Sequence, residues 1–455
     1  MRGGILRFGD SWIRELIGWR EQWLQETKLL FATVPVHCAL NHGLLSQAKT
    51  AGRVVLPALC LITASGASFG QAWVIEPSVQ LQGQYDDNIR LATESPGTVF
   101  GTELSGEVGL SRLTEVAELR GFLRLEFVTY TGNDDNLRDE DNQFIGFSSL
   151  RRTELGQWSL DGFVVRDRTL GDVEVFLSPE GVIIDPDTVI IDPDDDIDVG
   201  LVEVNVRRNR LTLNPAWQYS LTERTDIQLG YRFNTVFYED EQEADLTDFT
   251  RHQVTGSVFH HLTPVDRVRA DIEAIRYRAP DEDREFDTYL LRAGIDRRFS
   301  ETLRAGFSLG FRHTSFETPQ EDGDESGYVV RVDGTQRTQF GQFNARLERN
   351  LSPSGSGEVV QSDQFDFRMT REISPRLGFS MRARFFQNKS LREGDSRNDR
   401  RYFLIEPELR WNWTRWLSIG ASYRYRWQER DQDPDSVESN AVFVSLIYAR
   451  PTALD

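Results

Sequence analysis

The residues in this chain that could do chemistry are arginines and carboxylates set at alternate positions. Arg382 and Arg384 stand two apart in LGFSMRARF (377–385), as do Arg424 and Arg426 in WLSIGASYRYRW (416–427), and Glu406, Glu408 and Arg410 keep the same spacing in FLIEPELRWNW (403–413). A two-residue spacing puts side chains on one face of an extended strand. With Arg120, Arg124, Arg232, Arg304 and Arg312 they make a set of cations that, on the inner face of a closed sheet, would form a ladder of the kind that selects anions in pores. The carboxylates Glu118, Glu126, Asp271, Glu273, Asp366, Glu406 and Glu408 share that face, so the competing reading is a lining that neutralises itself through mixed ion pairs.

A second cluster is purely acidic. VIIDPDTVIIDPDDDID (182–198) nearly repeats its VIIDPD unit and carries Asp185, Asp187, Asp192, Asp194, Asp195, Asp196 and Asp198. Carboxylates at alternate positions suit a hard cation such as Ca²⁺, which takes roughly six to eight oxygen ligands. The segment lacks the glycine-centred ligand loop of an EF-hand. A Ca²⁺ site, a constriction folded into a lumen and a solvated acidic loop tip are therefore all open readings, and no other cofactor is implied. His252, His260, His261 and His313 fall in no zinc or nucleophile spacing, so no catalytic residue is assigned and no enzyme is expected.

The elements that must position these groups are strands. Period-two alternation recurs from about residue 74 to 449 in segments of about 10 residues, the length a tilted strand needs to cross a bilayer. In WLSIGASYRYRW, Leu417, Ile419, Ala421, Tyr423, Tyr425 and Trp427 fall on one face, and Ser418, Gly420, Ser422, Arg424 and Arg426 on the other. One face suits lipid and the other water. Connections alternate in length: tight turns such as SLTERTD (220–226), HLTPVD (261–266), FSET (299–302), ISPR (373–376) and WTR (413–415) face longer acidic loops such as NDDNLRDEDN (133–142), YEDEQEADLTD (238–248) and ETPQEDGDESG (317–327).

That sorting is the topology of an outer-membrane barrel, with short periplasmic turns and long extracellular loops. The expected fold is all-β, a transmembrane antiparallel up-and-down barrel of about 18 strands, with 16 as the alternative count. Residues 326–350 read either as a strand pair or as one strand with an ordered loop, and a parity break near Arg276 suggests a bulge. Pro77, Pro215 and Pro407 fall at outward strand positions, where the lost N–H predicts bends or strand ends. Tyr219, Tyr231, Trp411, Trp413, Trp416, Tyr423 and Trp427 near strand ends fit aromatic girdles.

Composition agrees and excludes other classes. Hydrophobic residues are 39% of 455, mean hydropathy is −0.47, and outside the stretch near residue 60 no apolar run approaches the ~20 residues of a spanning helix. A formal charge of −20 argues against a nucleic-acid surface. Only Lys28, Lys49 and Lys389 are lysines, so the cations are almost all arginine.

From Arg53 the chain reads RVVLPALCLITASGASFGQAW, a basic residue, an apolar run and small residues, which is the pattern of a secretory signal over 53–72. Cleavage after Ala67, Gly70 or Ala72 fits equally. Cys60 lacks the small residue a lipobox places before it, and with Cys38 it precedes the mature chain, which then has no cysteine. Residues 1–52 form an N-terminal extension, either a misassigned start or a distinctive tail whose stretch SWIRELIGWREQWLQ has amphipathic spacing. The barrel is expected over 73–449 and a short tail over 450–455.

WVIEPSVQLQGQYDDNIRLA (73–92), above all Tyr85-Asp86-Asp87-Asn88-Ile89, resembles the opening strand of an outer-membrane β-barrel porin family associated with exopolysaccharide production and export systems. LTLNPAWQYSLTERTDIQLGYRF (211–233) and RWLSIGASYRYRWQERD (415–431) are similar to later strands of that family. The resemblance implies integral location in the Gram-negative outer membrane and a channel that passes polysaccharide or small polar solutes. It also implies partners: outer-membrane lipid and lipopolysaccharide, the barrel-assembly machinery during insertion, and exopolysaccharide with its export proteins. The alternative is a non-conducting structural or docking barrel that binds polymer or envelope partners through its acidic loops.

Overall fold

A computed structural model describes residues 73–95, 97–132, 137–168, 206–239, 246–319, 322–353, 358–391, 399–431, 435–450 and 452–453. The extension (1–52), the signal segment (53–72) and the acidic segment 182–198 lie outside the described residues.

The alternating segments form long strands: β1 (Trp73–Asp86), β2 (Val99–Leu113), β3 (Ala117–Gly132), β4 (Glu140–Thr153), β5 (Gly156–Arg168) and β6 (Arg207–Thr222). These are followed by β7 (Thr225–Glu239), β8 (Phe249–His261), β9 (Asp266–Ala279), β10 (Arg284–Arg298), β11 (Leu303–Glu317) and β12 (Asp322–Thr338). The last crossing strands are β13 (Gly341–Pro353), β14 (Val359–Ser374), β15 (Leu377–Ser390), β16 (Arg400–Asn412), β17 (Leu417–Arg430) and β18 (Val437–Ala449). Each pairs antiparallel with its sequence neighbour, and β1 pairs with both β2 and β18, so 18 crossing strands close into a barrel. A two-residue strand β19 (Thr452–Ala453) continues the β18 side of that closure against Val74 and Ile75.

The two faces sort as the alternation requires. On β9 Ile272 is 66% exposed on the outside, while its neighbours Asp271 and Glu273 are buried on the inside. Leu291, Phe311 and Val444 stand open on the outer face in the same way. Apolar side chains ringing a closed wall bury their surface in lipid, at about 25 cal/mol per Å² removed from water. Trp411 and Trp413 stack at the periplasmic rim, 6.3 Å between ring centroids.

Several of the tight turns share one device. A Ser or Thr hydroxyl accepts the backbone N–H three residues on, as with Thr114 and Ala117 (2.9 Å), Ser300 and Leu303 (3.0 Å), Ser374 and Leu377 (3.1 Å), and Thr414 and Leu417 (3.0 Å). That is why these turns carry Ser or Thr, whose side chain mimics a backbone acceptor.

Four details differ from the sequence expectation or resolve it. Residues 326–350 are a strand pair, and β12 starts at Asp322, so much of the acidic stretch 317–327 is strand. No register shift occurs at Arg276; its outward side chain pairs with Asp287 of β10 at 2.7 Å, which satisfies a charge on the lipid-facing parity without a bulge. The register shifts lie instead at Ser220/Thr222 and Glu372/Ser374, beside periplasmic turns. Pro215 and Pro407 sit inside strands, not at their ends. Each keeps full pairing on one side, while on the other the ladder skips 214–215 and 406–407 and resumes in the same register. The lost N–H is absorbed by a local gap in one ladder, so neither bend nor termination is needed.

Candidate functional site

The polar side chains collect on the inner face. On β11, Arg304, Ser308, Arg312 and Thr314 are half-buried or buried, whereas Leu309, Phe311 and His313 on the other face are exposed. Arg120, Arg124, Arg232, Arg382, Arg384, Glu406, Glu408, Arg410, Arg424 and Arg426 take the same inward parity on their strands.

They form a lattice of ion pairs, some between residues two apart on one strand and some across to the neighbouring strand. Arg124 meets Glu126 at 2.7 Å and Glu103 at 3.7 Å, Arg384 meets Asp366 at 2.7 Å, and Arg424 meets Glu406 at 2.7 Å. Arg410 meets Glu408 at 2.8 Å, and the same carboxylate accepts from Ser380 at 3.1 Å. Arg120 sits 3.5 Å from Glu118. Charged groups in contact along a strand and between adjacent strands hold one another in fixed rotamers, so the wall is polar and ordered.

Above this lattice the extracellular end of the lumen is filled. Glu358, just before β14, pairs with Arg284 of β10 at 3.0 Å, and both side chains are almost inaccessible. In the wall those strands are four apart, roughly 19 Å at ~4.8 Å per strand. The contact therefore requires the end of β14 to lean across the lumen. Arg312 of β11 donates to Gln361 of β14 at 3.2 Å in the same way.

The wall permits this because β12 and β13 part company. Their ladder stops at Val330 and Arg349, while β13 stays paired with β14 as far as Pro353 and Val359. Arg349 marks the parting on the outer face, stacked on Tyr328 and bonded to Asp363. The inward-leaning ends are apolar on both sides. Val359 and Leu351 join Tyr277, Phe286 and Phe316 from the wall of β9–β11, and Val360 joins Leu91, Phe386, Tyr402, Leu404 and Val437 from the opposite side. The consecutive pair Val359-Val360, both buried, breaks the period-two rule and is the sequence signal for this closure.

The other half of the closure is the loop after β1. Asp86 accepts from Arg426 at 3.0 Å, from Ser439 at 2.9 Å and from the N–H of Asn88 at 2.9 Å. The same Arg426 nitrogen donates to the carbonyl of Ile89 at 3.0 Å, and Asp87 accepts from the Asn440 N–H at 2.7 Å. Asn88 bonds Ala92 in both directions, closing the turn. This strap delivers Leu91, fully buried, onto the inner face of the strands that carry Phe386, Tyr402 and Val437. Leu91 has φ 49°, a left-handed conformation that costs a β-carbon residue on the order of 1 kcal/mol and persists only where packing over-determines it. The Tyr85–Ile89 motif is thus the anchor of a strap, a role that spacing along the chain does not reveal.

Among the described residues no group of three or more His, Cys, Asp or Glu is placed to hold a metal ion. His252, His260 and His313 bond Tyr231, Thr225 and Ser326, on the exposed outer side.

A closed, even-stranded antiparallel barrel with an apolar exterior, a polar interior and tight turns at one end is an integral outer-membrane protein of the Gram-negative type. Both ends of its barrel lie on the periplasmic side with those turns. No family model matches the sequence, and no curated protein matches it. Solved structures with a similar trace include OccK5 (OpdH) of Pseudomonas aeruginosa, with TM-score 0.43 and 9% identity over 85% of this chain and 100% of that one. The outer membrane protein OpdK of the same organism matches with TM-score 0.44 and 8% identity over 84% and 100%. The Escherichia coli K12 ferric-catecholate import receptor Fiu matches with TM-score 0.40 and 9% identity over 84% and 82%.

Proposed function

We propose that this barrel is a channel for polar solutes, saccharides among them, held shut at its extracellular mouth in the state described. The observation that carries the reading is the charged and hydrogen-bonded inner wall below the packed mouth. A barrel serving only as a scaffold gains nothing from such a wall, since apolar packing in place of buried ion pairs is often neutral or stabilising. The ion-paired arginines Arg124, Arg384, Arg410 and Arg424 line the path on this reading. Service to exopolysaccharide passage or export rests on the resemblance of the opening strand, and the export proteins would then be periplasmic partners. Lipopolysaccharide surrounds the barrel, and the barrel-assembly machinery inserts it.

The filled mouth favours a second reading, a non-conducting docking barrel whose acidic loops bind polymer or envelope partners. Refolded protein in a planar bilayer separates the two. Discrete conductance steps support the channel. A silent bilayer, with saturable polymer binding by the same preparation, favours the docking barrel and overturns the channel.

A further inference from the structure

The outward face of β13 and β14 does not stay outside. Its positions are the odd-numbered ones, as the exposed Leu347 and Phe365 show. Arg349 and Asp363 come next on that face and still stand outside, bonded to one another, with Arg349 also bonded to Tyr328. One step further the same face is inside the lumen. Gln361 accepts from Arg312 of the inner wall at 3.2 Å, and Leu351 and Val359 pack on Tyr277, Phe286 and Phe316. The crossing falls at the Arg349–Asp363 pair, where the β12–β13 ladder ends.

Beyond that point two strand edges run without each other. Asp322 to Val329 pair with β11 alone, and Asn350 to Pro353 with β14 alone. Continuing the register of Val330 with Arg349 puts Val329 opposite Asn350, Tyr328 opposite Leu351 and Gly327 opposite Ser352. In that register Leu351 and Val359 turn to the lipid-facing side, and Asn350, Ser352 and Ser362 to the aqueous lumen, as strand parity asks.

The position inside the lumen is incompletely satisfied. Arg312 is 1% exposed, yet its Nε and Nη1 have no hydrogen-bond partner among the described residues, and Nη2 alone serves Glu325 and Gln361. The Oγ of Ser362 and one carboxylate oxygen of Glu325 are buried without a partner among the described residues too. Unpaired buried polar groups are costly, and withdrawal of β14 would give all of them to water. Holding the end in are the Arg284–Glu358 pair and the apolar contacts. Opposed terms of this kind make a two-position element.

We propose that the β13–β14 end is a gate leaf with a second seat in the wall: it leaves the lumen by extending the β12–β13 ladder in its existing register, which clears the mouth. The consequence for passage rests on the channel reading. Arg349 and Asp363 are the fulcrum, outside in both positions. The free edge of β12 is the seat, and its backbone N–H and C=O groups gain partners when the leaf docks.

The test uses the full chain with Cys38→Ala and Cys60→Ala, so that introduced cysteines are the only ones. Gly327→Cys/Ser352→Cys is compared with Gly327→Cys/Asn350→Cys in outer membranes treated with copper–phenanthroline, cross-linking being read by gel mobility without reductant. The shared Gly327→Cys brings its β-carbon first against the flexible end of Arg312, equally in both. Residues directly opposite in an antiparallel ladder lie roughly 4.5–5.5 Å apart at Cα, within reach of a disulfide, and diagonal ones roughly 7–8 Å, outside it. The expected result is a cross-link in Gly327→Cys/Ser352→Cys about tenfold faster than in the other pair, and faster again with Glu358→Gln. A permanently parted end predicts the reverse order, because Asn350 is nearer the last ladder pair than Ser352. That order, or no cross-link in either folded barrel, overturns the second seat. In a planar bilayer the oxidised Gly327→Cys/Ser352→Cys barrel is expected to stay open and to close more often after reductant. Equal open probability before and after reductant, in a barrel that conducts, overturns the gating role. An in-register cross-link in a barrel that is silent in both states upholds the second seat and overturns the channel reading.

Discussion

Replacing Asp86 by Asn tests the closure at its anchor. The carboxylate receives Arg426, Ser439 and the Asn88 N–H, and both Asp86 and Arg426 are buried. Breaking a buried pair by removing one charge costs about 3–5 kcal/mol, because the other charge is stranded. Here the asparagine oxygen still accepts, and the carbonyls of Ile89 and Asn88 still receive Arg426 at 3.0 and 3.4 Å, so about 2 kcal/mol is the better figure. The left-handed Leu91 gives the strap a further reason to leave once its anchor weakens. At 1.4 kcal/mol per tenfold, the released fraction rises about 30-fold. Single-channel open probability and hydrogen exchange over 87–92 both report it. If exchange over 87–92 quickens while open probability stays within about twofold of wild type, the strap is not part of the closure. If neither changes in a folded Asp86→Asn barrel, the anchor argument itself is wrong.

On the other half of the closure, Glu358→Gln removes the buried carboxylate that Arg284 meets at 3.0 Å, leaving it the more exposed Glu282 at 3.5 Å, and is expected to raise open probability by about tenfold, with exchange increasing at the ends of β13 and β14 and not in the periplasmic half. Equal exchange throughout would contradict the inward lean. Ile272→Arg places a charge on the lipid-facing side near the middle of β9 and should lower folding stability in lipid by about 2–4 kcal/mol by urea titration; a loss under about 0.5 kcal/mol would mean this face is not in the hydrocarbon. For the acidic segment 182–198, a Ca²⁺ site predicts a saturable calorimetric heat that Asp192→Asn with Asp194→Asn removes, and a flat titration eliminates it.

The sequence by itself determined the wall. Strand parity is local, because successive β-carbons point to opposite faces, and so Arg384, Glu406 and Arg424 declared their side before any contact was known. Turn chemistry is equally local, since a Ser or Thr hydroxyl and the N–H three residues on belong to one short segment. Even strand number followed, from loop lengths that alternate.

What only the tertiary structure decided is everything that depends on which strands face one another across the ring. Arg284 and Glu358 are 74 residues apart and meet only because the ends of β13 and β14 leave the wall and cross the lumen. Asp86 finds Arg426 of β17, across Ser439 of β18, because closure makes β1 and β18 neighbours. Pro215 and Pro407 stay inside their strands because each keeps one complete ladder, which composition cannot foresee. The arginine ladder became a lattice of ion pairs for the same reason. Charge along a strand is written in the sequence, as are pairs two residues apart such as Glu408 and Arg410, but the compensation of Arg384 by Asp366 and of Arg424 by Glu406 comes from the neighbouring strand, and register sets that meeting.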